Sequence, residues 1–159
     1  MKKSELEKKA LGLLARREYS RGELTHKLMG GEESLLGDVE QLMDSLEAQG
    51  YVSDERAAES ILRAYQGKYG LNKIRQVLQL KKINDQVSSG LLQQVQTNEY
   101  ETLQALFVKR YLVPPETPKE RVQCMRYYQN RGYTVESILR VLKDCKGWEE
   151  ILPIQGAVE

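Results

Sequence analysis

The side chains of this chain that could carry chemistry are few, and most are cationic. Between Glu59 and Asp85 stand six basic residues, Arg63, Lys68, Lys73, Arg75, Lys81 and Lys82, with no acid among them. Such a run makes a local basic face, which suits an acidic partner or a phosphate backbone; its plainer reading is a solvated helix face. On a helix over 71–81, Arg75 and Lys82 fall about twenty degrees apart on the helical wheel. Gln79 lies alongside, and Lys73 is on the other flank of the apolar stripe. Asn72, Gln76 and Gln79 add hydrogen-bonding groups. Residues 1–50 have the opposite bias, ten acids against eight bases. The formal net charge is only +1, which implies few phosphate contacts and a shallow salt dependence for any nucleic-acid binding.

Catalytic constellations are missing from the pattern. His26 is the single histidine and sits between Thr25 and Lys27, as an ordinary surface residue would. Cys124 and Cys145 lack metal-ligand spacing and read as reduced, half-buried thiols. There is no H-E-x-x-H, no paired C-x-x-C, no G-x-G-x-x-G after a strand and no phosphate loop. The 23 acids read as helix caps and solvated faces. The expectation is a protein that is not an enzyme, with no catalytic residues, no metal and no cofactor. Its first residues, MKKSELEKKALGLLARRE, are too charged for a secretory apolar stretch. No run approaches the length that crosses a bilayer. A cytoplasmic protein without a membrane partner is expected.

The elements that must position these residues are helices. Ser4 with Glu7, Ser20 with Glu23, Asn98 with Glu101 and Thr117 with Glu120 have capping-box spacing. Pro118 follows Thr117, where its missing N–H removes no helical bond. Ser53 precedes Asp54 and Glu55, acids that suit the positive end of a helix dipole. Stops fall at Gly30-Gly31, Gly50, Gly67, Gly70, Gly132 and Pro114-Pro115. Between these marks apolar residues recur at helical spacing, as in Val39, Leu42, Met43 and Leu46, or Val135, Ile138, Leu139 and Leu142. The spacing predicts about nine helices, over 4–17, 21–29, 36–49, 54–66, 71–81, 85–95, 98–112, 118–131 and 135–145. No segment alternates as a strand would.

The chain also repeats itself. Tyr19-Ser20 is followed by Leu24 and Leu28, Tyr69-Gly70 by Ile74 and Leu78, and Tyr133-Thr134 by Ile138 and Leu142. A basic residue, Arg17, Lys68 or Arg131, precedes each tyrosine. The two aliphatics lie four apart and so share one helix face. The small residue caps or clears the new helix, and the ring staples the turn, which is a structural role. The copies recur at intervals of 50 and 64 residues, and each is too small to bury its own apolar face comfortably. The expected fold is all-α, built from tandem repeats of a three-helix, helix-turn-helix-like unit, elongated and curved. The repeats are placed at 1–52, 53–96 and 97–146, with a tail at 147–159.

These residues resemble the RecX family over nearly the whole chain, from about Ser4 to Asp144. The stretch A-L-G-L-L-A-R-R-E-Y-S-R-G-E-L-T-H-K-L (10–28) is similar to that family's first repeat, and L-E-A-Q-G-Y-V-S-D-E-R-A-A (46–58) to its junction. K-Y-G-L-N-K-I-R-Q-V-L (68–78) and R-G-Y-T-V-E-S-I-L-R-V-L (131–142) are similar to the second and third repeats. The resemblance implies a regulator of the RecA recombinase. It would bind the RecA filament on single-stranded DNA, lodged along its groove, and act by steric restraint of filament growth, ATP hydrolysis and strand exchange. Its nucleic-acid contact, to single- or double-stranded DNA, would be weak or indirect, and it would be a monomer. One departure stands out. The family pattern has a basic residue and a glycine before the isoleucine that follows the second repeat's second helix, whereas this chain has Lys81-Lys82-Ile83. That helix end therefore needs another cap.

Charge and repeat position nominate the partner-binding residues. These are Arg16, Arg17 and Arg21 at the first turn, then Lys68, Lys73, Arg75 and Lys82 in the second repeat, then Arg126, Arg131 and Arg140 in the third. Two rival readings stay open. A helix-turn-helix DNA-binding protein without a recombinase partner would bind bare duplex tightly, with a steep loss in salt. A generic helical scaffold would bind neither.

Overall fold

The computed structural model describes residues 2–145, and the expected tail at 147–159 lies outside them. Among the described residues all regular structure is helical. The order is α1 (Lys3–Leu14), α2 (Arg21–Met29), a 3₁₀ turn (Glu33–Leu35), α3 (Leu36–Ala48), α4 (Asp54–Tyr65), α5 (Leu71–Leu80), α6 (Asp85–Arg110), α7 (Pro118–Asn130) and α8 (Val135–Asp144). None of these helices is long and apolar enough to cross a membrane. The described residues form two compact units. The first comprises residues up to Ala64 together with Gln76–Leu91, and the second comprises Tyr65–Arg75 with the residues from Leu92 onward.

The first unit buries Leu6 and Ala10 of α1, Tyr19, Leu24 and Leu28 around α2, and Val39, Met43 and Leu46 of α3. Their spacing of three and four puts each set on one helix face. The second unit buries Leu103 and Phe107 of α6, Cys124 and Tyr128 of α7, Tyr133, and Ile138, Val141 and Leu142 of α8. The repeat's aliphatic pairs, Leu24/Leu28, Ile74/Leu78 and Ile138/Leu142, are all buried. Tyr19 and Tyr133 are buried with them, while Tyr69 is half-buried with its ring edge-on to Tyr65 at 5.3 Å.

The expected break between helices 85–95 and 98–112 does not occur, and α6 runs unbroken for 26 residues. Asn98 and Glu101 have the spacing of a cap but lie inside a continuous stripe, because Val95, Glu99, Leu103 and Phe107 recur every four residues and are all buried. The boundary drawn at 96/97 falls within this helix. Ser4 is likewise helical and caps nothing; the N-cap position of α1 is Lys2, with no side-chain bond. Ser20 does cap α2, accepting from the Glu23 N–H at 3.0 Å, but the Glu23 carboxylate turns away to cations instead of closing a box. Thr117 and Glu120 form the full reciprocal box.

The helix end without glycine is resolved by Lys82 itself, which adopts φ 54. A non-glycine residue there carries a penalty of about 1–2 kcal/mol. The neighbour that makes room is Gly22, whose hypothetical Cβ would stand 2.6 Å from the Lys82 Cβ. A similar close approach occurs in the second unit. The Gly70 N–H donates to the Arg131 carbonyl and the Asn72 N–H to the Gly132 carbonyl, each at 2.9 Å. A Cβ on Gly70 would collide with the Tyr133 backbone.

Glu99 holds this second-unit junction together. It is 4% exposed, and its Oε2 accepts the Leu71 N–H at 2.7 Å at the start of α5. Its Oε1 accepts from the Thr134 N–H at 3.1 Å and the Thr134 hydroxyl at 2.6 Å, at the start of α8. Both helix starts carry orphan N–H groups and positive dipole ends that favour an anion. The expectation that acids cap their own helices or face water fails here, since Glu99 caps two other helices from within the core.

Glu99→Gln keeps the shape but exchanges one acceptor oxygen for a donor, leaving buried N–H groups unpaired. The variant is expected to lose about 2–4 kcal/mol of unfolding free energy, seen as a lower urea midpoint at unchanged slope. An unshifted midpoint would show that the carboxylate is not required.

Candidate partner-binding surface

The two units treat their cations differently. In the first, two of the three nominated arginines, Arg17 and Arg21, are engaged within the fold. Arg17 grips Glu23 through both guanidinium nitrogens, at 2.8 and 3.2 Å, and lies 3.7 Å over the Tyr19 ring. The same carboxylate takes the Lys81 ammonium at 2.9 Å. Arg21 pairs with Asp44 at 2.8 Å and with Glu47, and Arg56 with Glu18 at 3.1 Å. Hydrogen bonds donated to Glu23 and to Glu47 hold the Arg17 and Arg21 guanidinium pKa values above their ordinary range. Arg16 is exposed. Every ion pair found among the described residues is in this unit, which has twelve basic residues against fourteen acids.

Lys82 is exposed and lies beyond the end of α5 at Leu80, so the helical wheel that set it beside Arg75 does not apply. With Arg21, Gly22 and His26 it lines a hollow of about 490 Å³ whose wall also carries Glu40 and Asp54. Asp54 is a second bridging carboxylate, accepting the Arg21 N–H at 2.9 Å and the Asn84 N–H at 2.8 Å.

In the second unit eleven basic residues face six acids among the described residues, and several cations rest on tyrosine rings. Arg110 lies 3.6 Å and Arg131 4.7 Å from the centroid of Tyr127. Arg140 lies 3.7 Å over Tyr100, whose hydroxyl donates to Asp144 at 2.8 Å. A ring attracts a cation without cancelling its charge, so these arginines remain electrostatically available as those of the first unit do not. Lys68 and Arg131 come together in an open cleft of about 480 Å³ with Gly67, Leu106, Lys109, Arg110, Tyr127 and Tyr128. Lys73 is half-buried beneath Gly132. Arg75 is exposed and donates to Asn72 at 3.1 Å, and Arg126 is exposed on α7.

Lys109, Arg110 and Tyr127 are not among the residues that sequence reasoning nominated. Their signal is a basic pair at a helix C-terminus and a tyrosine doublet in the next helix, and only the fold brings these together. For proton chemistry the unit offers little. Burial raises the pKa of Tyr128, and that of Tyr133 is pushed up to about 12. Their hydroxyls are buried without a hydrogen-bond partner among the described residues. Burial likewise raises the Cys124 thiol; Cys124 and Cys145 are both buried and free. No group of His, Cys, Asp and Glu among the described residues could hold a metal ion.

The Glu23 network makes a pH-dependent prediction. Burial pushes its carboxyl pKa up, but the bonds from Arg17 and Lys81 outweigh burial and hold it below the ordinary value. Its stabilisation is therefore fully present above the unfolded glutamate pKa of about 4.3 and is lost as pH falls through the lower folded value. Glu23→Gln is expected to lower stability by about 1–2 kcal/mol at neutral pH. The gap to the parent should close on acidification in urea titrations at a series of pH values; a pH-independent gap would refute the linkage.

No family model matches the chain. Individual relatives do. The regulatory protein RecX of Ralstonia pickettii (strain 12J) is 34% identical over 147 residues, covering 92% of this chain and 90% of its own. That of Ralstonia nicotianae is 33% identical over 138 residues, covering 87% and 86%, and that of Vibrio vulnificus is 33% identical over 138 residues, covering 85% and 89%. The crystal structure of RecX from Lactobacillus salivarius superposes with a TM-score of 0.69 over 89% of this chain and 95% of that one, at 19% identity, a likeness of fold. Agreement in sequence along nearly the full length of these relatives, joined to the same helical fold, shows that this chain belongs to the RecX family of regulatory proteins.

Proposed function

We propose that this chain binds the RecA filament on single-stranded DNA and modulates it, mainly as an inhibitor of ATP hydrolysis, filament extension and strand exchange. The observation that carries this reading is the near full-length likeness to proteins named regulatory protein RecX. The mechanism is stoichiometric and steric, with no bond made or broken. In this reading the protein works in the cytoplasm as a monomer built from three tandem repeats, at 1–52, 53–96 and 97–146.

The basic surplus among the described residues of the second unit supports an anionic partner such as a nucleoprotein filament. Contact falls to the nominated cations, foremost those with exposed side chains: Lys68, Arg75, Arg126 and Arg140, with Lys82 and Arg16 from the first unit. Arg17 and Arg21, which their own carboxylates hold, and Lys73 and Arg131, at the second-unit junction, complete the contact set.

Reversing Lys68, Arg75 and Lys82 together to glutamate removes exposed charge without opening a core. In co-sedimentation with RecA filaments on single-stranded DNA, the triple variant is expected to bind at least about tenfold more weakly, equivalent to about 1.4 kcal/mol. Its circular dichroism should match the parent. Parent-like binding would remove these residues from the contact surface, and failure of the parent itself to sediment would reject the filament reading.

A further inference from the structure

We propose that the cleft formed by Lys68, Lys109, Arg110 and Arg131 around Tyr127 is a phosphate-binding site that takes consecutive phosphoryl groups of a polyanion. The inference does not depend on the filament reading, because no recombinase takes part in it.

Sign comes first. Four cations line one hollow of about 480 Å³ with no acid among the lining residues. In the first unit, clustered cations are answered by carboxylates: Arg17 and Lys81 converge on Glu23, and Arg21 on Asp44 and Glu47. Here two guanidiniums converge instead on one neutral ring, at 3.6 and 4.7 Å from its centroid. Bringing like charges together against an apolar wall of Leu106 and Tyr127 is unfavourable until an anion sits between them.

Chemistry selects the anion. Arginine offers a planar fork of N–H donors and lysine a mobile point charge, the pair of devices that grips phosphoryl oxygens. A single carboxylate would satisfy one fork and leave the other cations unanswered. Adjacent phosphoryl groups supply repeated charge and several acceptor oxygens each. The backbone of one nucleic-acid strand and a soluble oligophosphate, such as a nucleoside triphosphate, share that chemistry. A concave cleft admits either more readily than a duplex, which carries its phosphates on a broad convex surface.

Two probes are titrated separately into the full chain, with no recombinase present: a short fluorescein-labelled oligothymidylate by anisotropy, and tripolyphosphate by calorimetry. Saturable binding that weakens with salt is expected for at least one, and which one binds assigns the source as strand or free oligophosphate. Lys109→Ala with Arg110→Ala, both exposed in the parent, should weaken that binding about tenfold, with parent-like circular dichroism. For the strand, the double variant should also lower the salt slope by about 1.4, at about 0.7 per phosphate contact. The double variant Lys8→Ala, Lys9→Ala, on the exposed face of α1 in the first unit, should bind as the parent does. The site is overturned if neither probe binds, if the Lys109/Arg110 variant binds as tightly as the parent, or if polyglutamate of matched charge binds as well as the probes.

Discussion

In each unit a single carboxylate accepts backbone N–H groups from two segments far apart in the chain, and the helix starts of the repeats are seated by those bonds. Asp54 joins the first residue of α2 to the residue before α6, at 2.9 and 2.8 Å. Glu99 joins the first residue of α5 to the cap of α8, at 2.7 and 3.1 Å, and takes the Thr134 hydroxyl besides. A carboxylate withdrawn from water is costly unless its oxygens are satisfied, and three donors with two helix N-termini supply that compensation for Glu99. The same bonds satisfy N–H groups that a helix start would otherwise leave unpaired. Short helices that could not stand alone are thus fixed at their ends as well as along their apolar faces.

The placement of the acids decides where positive charge is left over. In the first unit Glu23, Asp44, Glu47 and Glu18 are spent on Arg17, Lys81, Arg21 and Arg56. In the second, Glu99 is turned inward to backbone groups, and the arginines are seated by Tyr127 and Tyr100. A ring attracts a guanidinium and leaves its charge in place. A chain with a formal charge of +1 can in this way hold a unit whose described residues carry eleven bases against six acids, which suits a regulator whose proposed partner carries nucleic acid.

Much of the fold was legible because its signals are local. Thr117 with Glu120, Ser20, and glycines such as Gly30 and Gly132 mark helix ends through contacts within one turn, and the aliphatic pairs of the repeat report their own faces. What was hidden depends on competition at long range. Asn98 and Glu101 have the spacing of a cap, but Glu99 between them is drawn into the core by N–H groups 28 and 35 residues away, so the helix runs on. Glu23 was free to close a box on Ser20, and two cations claimed it first. Lys82 looked like a continuation of a helix face because nothing local says that a lysine will take a left-handed turn; Gly22, sixty residues earlier, is what accommodates it. The family likeness pointed to the partner, and charge pointed to Lys68 and Arg131. Lys109, Arg110 and Tyr127 stayed out of sight, since a pair of cations ending one helix and a ring on the next become a site only when the helices pack.

Regulation of a recombinase filament by this chain is tested by single-stranded-DNA-dependent ATP hydrolysis by the RecA of its own host, titrated with the folded, monodisperse protein. Hydrolysis is expected to fall at protein levels near or below one per recombinase subunit. The fall should occur at concentrations where the protein does not strip the DNA by binding it bare. A hydrolysis rate that holds constant across the titration would show that the chain does not regulate the filament.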